Sequence, residues 1–114
     1  KLVDVYPAGF ALNITDGALR ARYRDSLERT SLIVPDEVYE YTIPMRATSN
    51  VFKAGHRIRL EVASSNHPMY DRNPGNGARS IEVTEKDFRA NTHRVFHDRL
   101  RPSHLVLPVV QRRG

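Results

Sequence analysis

Two stretches of this chain alternate strictly between apolar and polar residues, and that period of two constrains its fold most. In His56 to Ser64, Ile58, Leu60 and Val62 fall on one side, and Arg57, Arg59 and Glu61 on the other. In Leu19 to Arg24, Leu19, Ala21 and Tyr23 oppose Arg20, Arg22 and Arg24. Successive side chains of an extended chain point to opposite faces, so this pattern describes a strand with one buried and one wet face. Lys1 to Tyr6 and Phe10 to Ile14 add two extended stretches joined by Pro7-Ala8-Gly9, the layout of a hairpin. Thr15-Asp16-Gly17 and Ala54-Gly55 are further turns. Val38 to Ile43, ended by Pro44, and His93 to His97 and His104 to Val110, separated by Pro102, also read as strands. The helical signal is confined to Thr84-Glu85-Lys86-Asp87, a capping-box pattern for a single turn, with Asp in place of Glu. Ser65 to Ala78 holds Pro68, Pro74, Gly75 and Gly77 and reads as a long loop. Arg112-Arg113-Gly114 reads as a frayed tail. Roughly six to eight short strands with almost no helix predict an all-β sandwich or barrel.

A length of 114 residues allows one small domain. The longest apolar run, Leu105 to Val110, contains Pro108 and is far short of the about 20 residues a membrane-spanning helix needs. There is no cysteine, which excludes disulfides, thiolate metal sites and a Cys nucleophile, and favours a reducing compartment. A cytoplasmic setting is therefore favoured. The net charge of +5 comes almost wholly from arginine, since the lysines are Lys1, Lys53 and Lys86 alone. Arginine favours bidentate carboxylate pairing and stacking over plain solvation. The Arg20/Arg22/Arg24 and Arg57/Arg59 faces are therefore read as structural, pairing with Asp25, Glu28, Glu40, Glu61 or another domain. No aromatic is interleaved on those faces to stack bases, so nucleic acid is not expected as a partner.

The chemistry-bearing residues form no convincing catalytic set. Ser64, Ser65, His67 and Asp71 lie close in sequence, but on a Pro-containing loop and without a Gly-x-Ser-x-Gly turn. The bland reading is turn-forming side chains bonding their own backbone. His93 and His97 would lie on one face of a strand roughly 13 Å apart at about 3.3 Å per residue, too far for one ion. No metal site and no cofactor are expected. Gly75-Asn76-Gly77 lacks the helix and lysine of a phosphate-cradling loop. Asn13-Ile14-Thr15 fits a glycosylation pattern that carries little without a secretory setting.

Phe52 to Asn73 is more specific. Gly55-His56-Arg57-Ile58-Arg59 followed by Ser64-Ser65-Asn66-His67-Pro68-Met69-Tyr70-Asp71-Arg72-Asn73 resembles the C-terminal domain of X-Pro dipeptidyl-peptidases and cocaine esterase-like (CocE/NonD) serine hydrolases. His67 and Tyr70 stand where that family commonly has Phe. Leu2 to Pro7, Gly17 to Arg24, Val38 to Ile43 and Pro102 to Val109 are similar to other strands of the family, in the same order.

The resemblance implies a jelly-roll-like β-sandwich, galactose-binding-like in class, packed on a catalytic α/β-hydrolase domain of the same protein. The family's Ser nucleophile, base and oxyanion hole sit in that other domain. No catalytic residue is carried over to this chain, and substrate preference is set elsewhere. Residues 1–114 then correspond to the later part of the C-terminal domain, with Lys1 falling inside a strand and the N-terminal strands missing. A partial sandwich leaves sheet edges unpaired and an apolar face uncovered. The expectation is that another polypeptide, a second copy forming a homo-oligomer, or residues outside this stretch supply the missing strands. Within the chain, Asn66, Tyr70, Asp71, Arg72 and Asn73 are the candidate domain-docking loop, with Asp71 and Arg72 expected to lock it by ion pairs or Arg72 to reach the hydrolase domain. A stand-alone β-sandwich module binding carbohydrate or protein is the alternative. Tyr70 is its best platform residue in a chain without tryptophan.

Overall fold

The computed structural model describes residues 1–111 and divides the chain into two units, Lys1–Ala63 and a second beginning at Ser64. The first contains a three-stranded antiparallel sheet of β1 (Leu2–Val5), β2 (Ala11–Thr15) and β3 (Arg57–Leu60), in the order β2-β1-β3. The β1–β2 hairpin closes where the sequence places it. The Gly9 N–H donates to Tyr6 O at 2.9 Å, and the Tyr6 N–H to Phe10 O at 2.8 Å. Gly9 sits at φ +91°, a conformation in which a side chain would be strained. A register shift between Leu2 and Val3 leaves Ile14 without an opposite residue, a bulge near the end of β2.

The β1–β3 register sets Leu2 opposite Leu60, Val3 opposite Arg59, Asp4 opposite Ile58 and Val5 opposite Arg57. One step beyond, Lys1 and Glu61 exchange both hydrogen bonds, at 2.7 and 2.9 Å. Opposed residues share a face. One face therefore carries Leu12, then Leu2 and Asp4, then Ile58 and Leu60. The other carries Ala11 and Asn13, Val3 and Val5, Arg57 and Arg59. Central β1 is buried along its whole length, at 2–3% exposure. Leu2, Val3 and Val5 each contribute about 1.5–3 kcal/mol of burial, an upper bound because unfolded chains are partly collapsed.

An irregular segment is bonded to the end of β2. Thr15 Oγ1 donates to Arg46 O at 2.7 Å, Arg46 N–H to Asp16 O at 3.0 Å, and Thr48 Oγ1 to Ile14 O at 3.4 Å. Gly17 permits this approach, because a Cβ there would collide with the Pro44 carbonyl oxygen.

Several expected strands are not formed. Leu19–Arg24 alternates, yet Ala21–Tyr23 is one 3-10 turn. Arg24 fixes it: its guanidinium donates to Ala21 O at 3.0 Å and Ser31 O at 2.6 Å, and lies 4.5 Å over the Tyr39 ring. Its Nε is 3.4 Å from Asp25, and Arg59 is 3.5 Å from Glu61, two of the ion pairs expected for these arginines. Val38–Ile43 forms no strand, although Tyr39 and Tyr41 stack with centroids 6.3 Å apart. β3 ends at Leu60, short of Ser64. His93–His97 and His104–Val110 reduce to a single bridge, His97 to Pro102. In each case the side-chain pattern suits a strand, but the backbone bonds made there are isolated and do not extend into a ladder.

The second unit carries two 3-10 turns, Ser80–Glu82 and Glu85–Asp87. Asp87 holds the latter: its carboxylate accepts from the Thr84 N–H and Thr84 Oγ1, each at 2.8 Å. Those two bonds, backbone first, hold the Asp87 carboxyl below the usual aspartate range. Asp98 organises another turn, accepting from the Leu100 and Arg101 N–H groups and the Arg101 guanidinium. Arg101 is the main reason the Asp98 carboxyl is also lowered. The tail at 112–114 lies outside the described residues.

The structure is all-β, and its described residues form one three-stranded sheet. Its surface is large. A compact 13.0 kDa protein exposes about 6,300 Å², and two independent units of half that mass about 7,700 Å² together. This chain exposes 10269 Å². Phe10, Leu12, Ile58, Leu60 and Val62 are 39–63% exposed.

Candidate functional site

Two groupings of polar side chains stand out, one in each unit. In the first unit, β1 carries Asp4 at its centre and β3 is preceded by His56. The register places His56 diagonally from Asp4 on the same face, and the two meet: His56 Nδ1 lies 2.9 Å from Asp4 Oδ1. Their side chains are 8% and 3% exposed. A carboxylate can only accept, so Nδ1 carries the proton of this bond. The Tyr6 ring covers the imidazole at 4.3 Å, and Phe10 meets Tyr6 edge-on at 5.4 Å. The pair is a buried polar tie between two strands whose partners are 52 residues apart in sequence. It was not legible in the sequence, because only the strand register brings Asp4 and His56 together.

The second grouping is the loop singled out from the sequence. Asn66 and Tyr70 bracket a tight turn, with the Tyr70 N–H donating to Asn66 O at 3.1 Å. Asn73 straddles the base of the loop. Its Nδ2 donates to Ser64 O at 3.3 Å, and its Oδ1 accepts from the Gly75 N–H at 3.0 Å. Asn91 Nδ2 donates to Gly75 O at 2.6 Å, and the Arg89 N–H to Pro74 O at 2.8 Å. Gly75 has φ +70°, and a Cβ there would meet the Arg89 carbonyl oxygen.

Asp71 and Arg72 part company. Asp71 Oδ2 accepts from Ser80 Oγ at 3.1 Å, while the Arg72 guanidinium lies 4.5 Å over the Phe88 ring. These two contacts are with a hydroxyl and an aromatic face. These residues open onto a cleft of about 460 Å³, with His67, Asp71, Arg72 and Ser80 on its polar side and Ile81, Val83 and Phe88 on its apolar side. Ser80 and Phe88 were missed by sequence reasoning. Nothing in their spacing ties them to the 66–73 segment.

Ser80 donates directly to a carboxylate, with no imidazole interposed to accept its proton, and no strand-turn-helix presents it. Ser64 contributes its carbonyl to Asn73. Among the described residues no three His, Asp or Glu side chains gather as metal ligands, and no helix is long and apolar enough to cross a membrane.

Comparison with known proteins identifies the relatives of this fold. Residues 1–106 match the family model of the X-Pro dipeptidyl-peptidase C-terminal non-catalytic domain. The chain is 45% identical over 112 residues to the cocaine esterase of Rhodococcus sp. (strain MB1 Bresler), aligning 98% of itself with 20% of that protein. It is 31% identical over 127 residues to a protein of Mycobacterium bovis provisionally named a serine esterase, and to a counterpart in Mycobacterium tuberculosis, covering 96% of this chain and 18% of each. The chain thus spans about a fifth of the length of the curated relatives it matches. It belongs to the X-Pro dipeptidyl-peptidase C-terminal non-catalytic domain family.

Proposed function

We propose that these residues act as the later part of an accessory β-domain that packs on and stabilises the catalytic α/β-hydrolase domain of the same protein. In that parent protein, ester or amide bonds are cleaved by acyl transfer through a Ser nucleophile lying outside residues 1–114. The observation that carries the reading is the surplus of apolar surface. With Phe10, Ile58, Leu60 and Val62 about half open, the first unit displays the kind of surface that a permanent partner covers. The loop carrying Asn66, Tyr70, Asp71, Arg72 and Asn73 is the docking element, and it presents the exposed Arg72 over the Phe88 ring.

A carbohydrate- or protein-binding module standing alone is less favoured, because Tyr70 is half-buried rather than displayed as a platform. The test is labelling with a fluorophosphonate serine probe read by intact mass. Label is expected on the hydrolase portion of the full-length protein and on no serine of residues 1–114. Label on this stretch, with Ser64, Ser65 or Ser80 as the place to look, overturns the accessory role. Docking is tested in the full-length protein by Arg72→Ala. Thermal stability should fall while the chemical step of the folded fraction persists. Loss of turnover at unchanged stability contradicts the role.

A further inference from the structure

We propose that the outer edge of β3 receives an additional strand from the parent protein, one that is apolar on the Ile58/Leu60 face and acidic on the Arg57/Arg59 face. The proposal rests on the reading that the parent extends beyond this domain, and adds which edge is used and by what chemistry. In an antiparallel ladder, residues alternate between those that exchange both backbone hydrogen bonds with a given neighbour and those that face away from it. Lys1 and Glu61 exchange both, which fixes the phase. With the unbroken register of β1 and β3, Glu61, Arg59 and Arg57 spend their backbone groups on β1. Ile58 and Leu60 point theirs outward.

Among the described residues nothing bonds those outward groups, whereas the end of β2 at Ile14–Thr15 is held by Arg46 and Thr48. The open edge coincides with open apolar side chains, Ile58 at 56% and Leu60 at 47% exposure, continuing to Val62 at 63%. A free edge strand this apolar is an association hazard that folded proteins cover.

Charge selects the occupant. On the opposite face Arg57 has no ion pair among the described residues, and Arg59 meets only the half-exposed Glu61 at 3.5 Å. An incoming strand with acidic residues at the facing positions pairs across, each pair worth a modest amount. A second copy of β3 pairing about a two-fold through Arg59 sets that arginine against itself, in a chain already at +5. The relatives supply ample chain for the role, since four-fifths of their length lies outside the matched stretch.

The experiment is residue-resolved amide hydrogen exchange on the full-length protein. The Ile58 and Leu60 amides are expected to be protected at least 100-fold over unstructured peptide, on a par with Arg59. Arg57→Glu should raise exchange at Ile58 at least tenfold, and Arg57→Lys should not. Ile58 and Leu60 exchanging at near-peptide rates while Arg59 stays protected overturns the proposal. Protection that rises with protein concentration overturns it in favour of a second copy. Equal effects of the Glu and Lys variants refute the acidic chemistry of the strand. An open β3 edge with Arg72→Ala still loosening the domain leaves the accessory function standing without this strand.

Discussion

Removing the Asp4 carboxylate tests the central tie of the sheet. In Asp4→Ala, His56 Nδ1 loses its partner at 2.9 Å. The imidazole cannot simply turn to water, since its side chain is 8% exposed and Tyr6 lies over it at 4.3 Å. Breaking one partner of a buried polar pair costs about 3–5 kcal/mol, and an orphaned buried donor alone costs about 1–3 kcal/mol. The modest residual exposure of His56 places the expectation near 3 kcal/mol. That is a large part of the total for a domain of this size, typically about 5–15 kcal/mol. With a urea m-value of about 1–3 kcal/mol/M, the midpoint of unfolding should fall by roughly 1–3 M. Asp4→Asn keeps an acceptor oxygen at the same place and should cost clearly less. Asp4→Leu combined with His56→Phe replaces the pair by apolar groups and should recover much of the loss of the single variant. Circular dichroism in a urea series, fitted with m held as a check, separates these cases. A shift below about 0.5 kcal/mol for Asp4→Ala, or equal losses for Ala and Asn, would show that the contact does not hold β1 to β3.

Three further outcomes follow from named contacts. Gly17→Ala should lower the denaturation midpoint by roughly 1–3 kcal/mol equivalent, because its Cβ enters the space of the Pro44 carbonyl and pushes the 43–48 segment off β2; wild-type stability would show that the segment moves freely. Arg24→Ala should free the turn at Ala21–Tyr23, since it removes donors to Ala21 O and Ser31 O together; the readout is faster amide exchange at Tyr23 and Ser31, and Arg24→Lys should restore it poorly. Asp87 and Asp98 have folded pKa values below the ordinary 3.8, so their contribution is complete above that value and is lost as pH falls through the lowered folded value. The amide signals of Thr84 and Leu100 should therefore hold from pH 7 to about 4.5 and move only in more acid solution; a change centred near pH 6 would point to a histidine instead.

The parts of the fold that could be read in advance are those whose signal is local. The β1–β2 hairpin needs only Pro7-Ala8-Gly9 and two short extended runs, and it forms with Gly9 in the left-handed region. β3 follows the Ala54-Gly55 turn, with Gly55 at φ +83°, and carries the clearest alternation. The Thr84–Asp87 turn comes from a four-residue pattern and closes through the anticipated side-chain bonds. What misleads is alternation without a neighbour. Leu19–Arg24 has a better period than β1, yet β1 is a strand because β2 and β3 flank it, while Ala21–Tyr23 turns back on Ser31. A period of two reports which side of a strand would be buried; it does not report that a second backbone lies 5 Å away to complete the ladder. The same limit governs the site. Asn66, Tyr70 and Asn73 were legible because their bonds stay within the loop, whereas Ser80, Phe88 and the Asp4–His56 pair depend on contacts across 9, 16 and 52 residues. In this chain, then, unfulfilled strand patterns and uncovered apolar residues are one observation seen twice. Side chains already patterned for a two-layer sheet stand where the described residues form a single layer, and the exchange of Ile58 and Leu60 decides whether a further strand extends that layer.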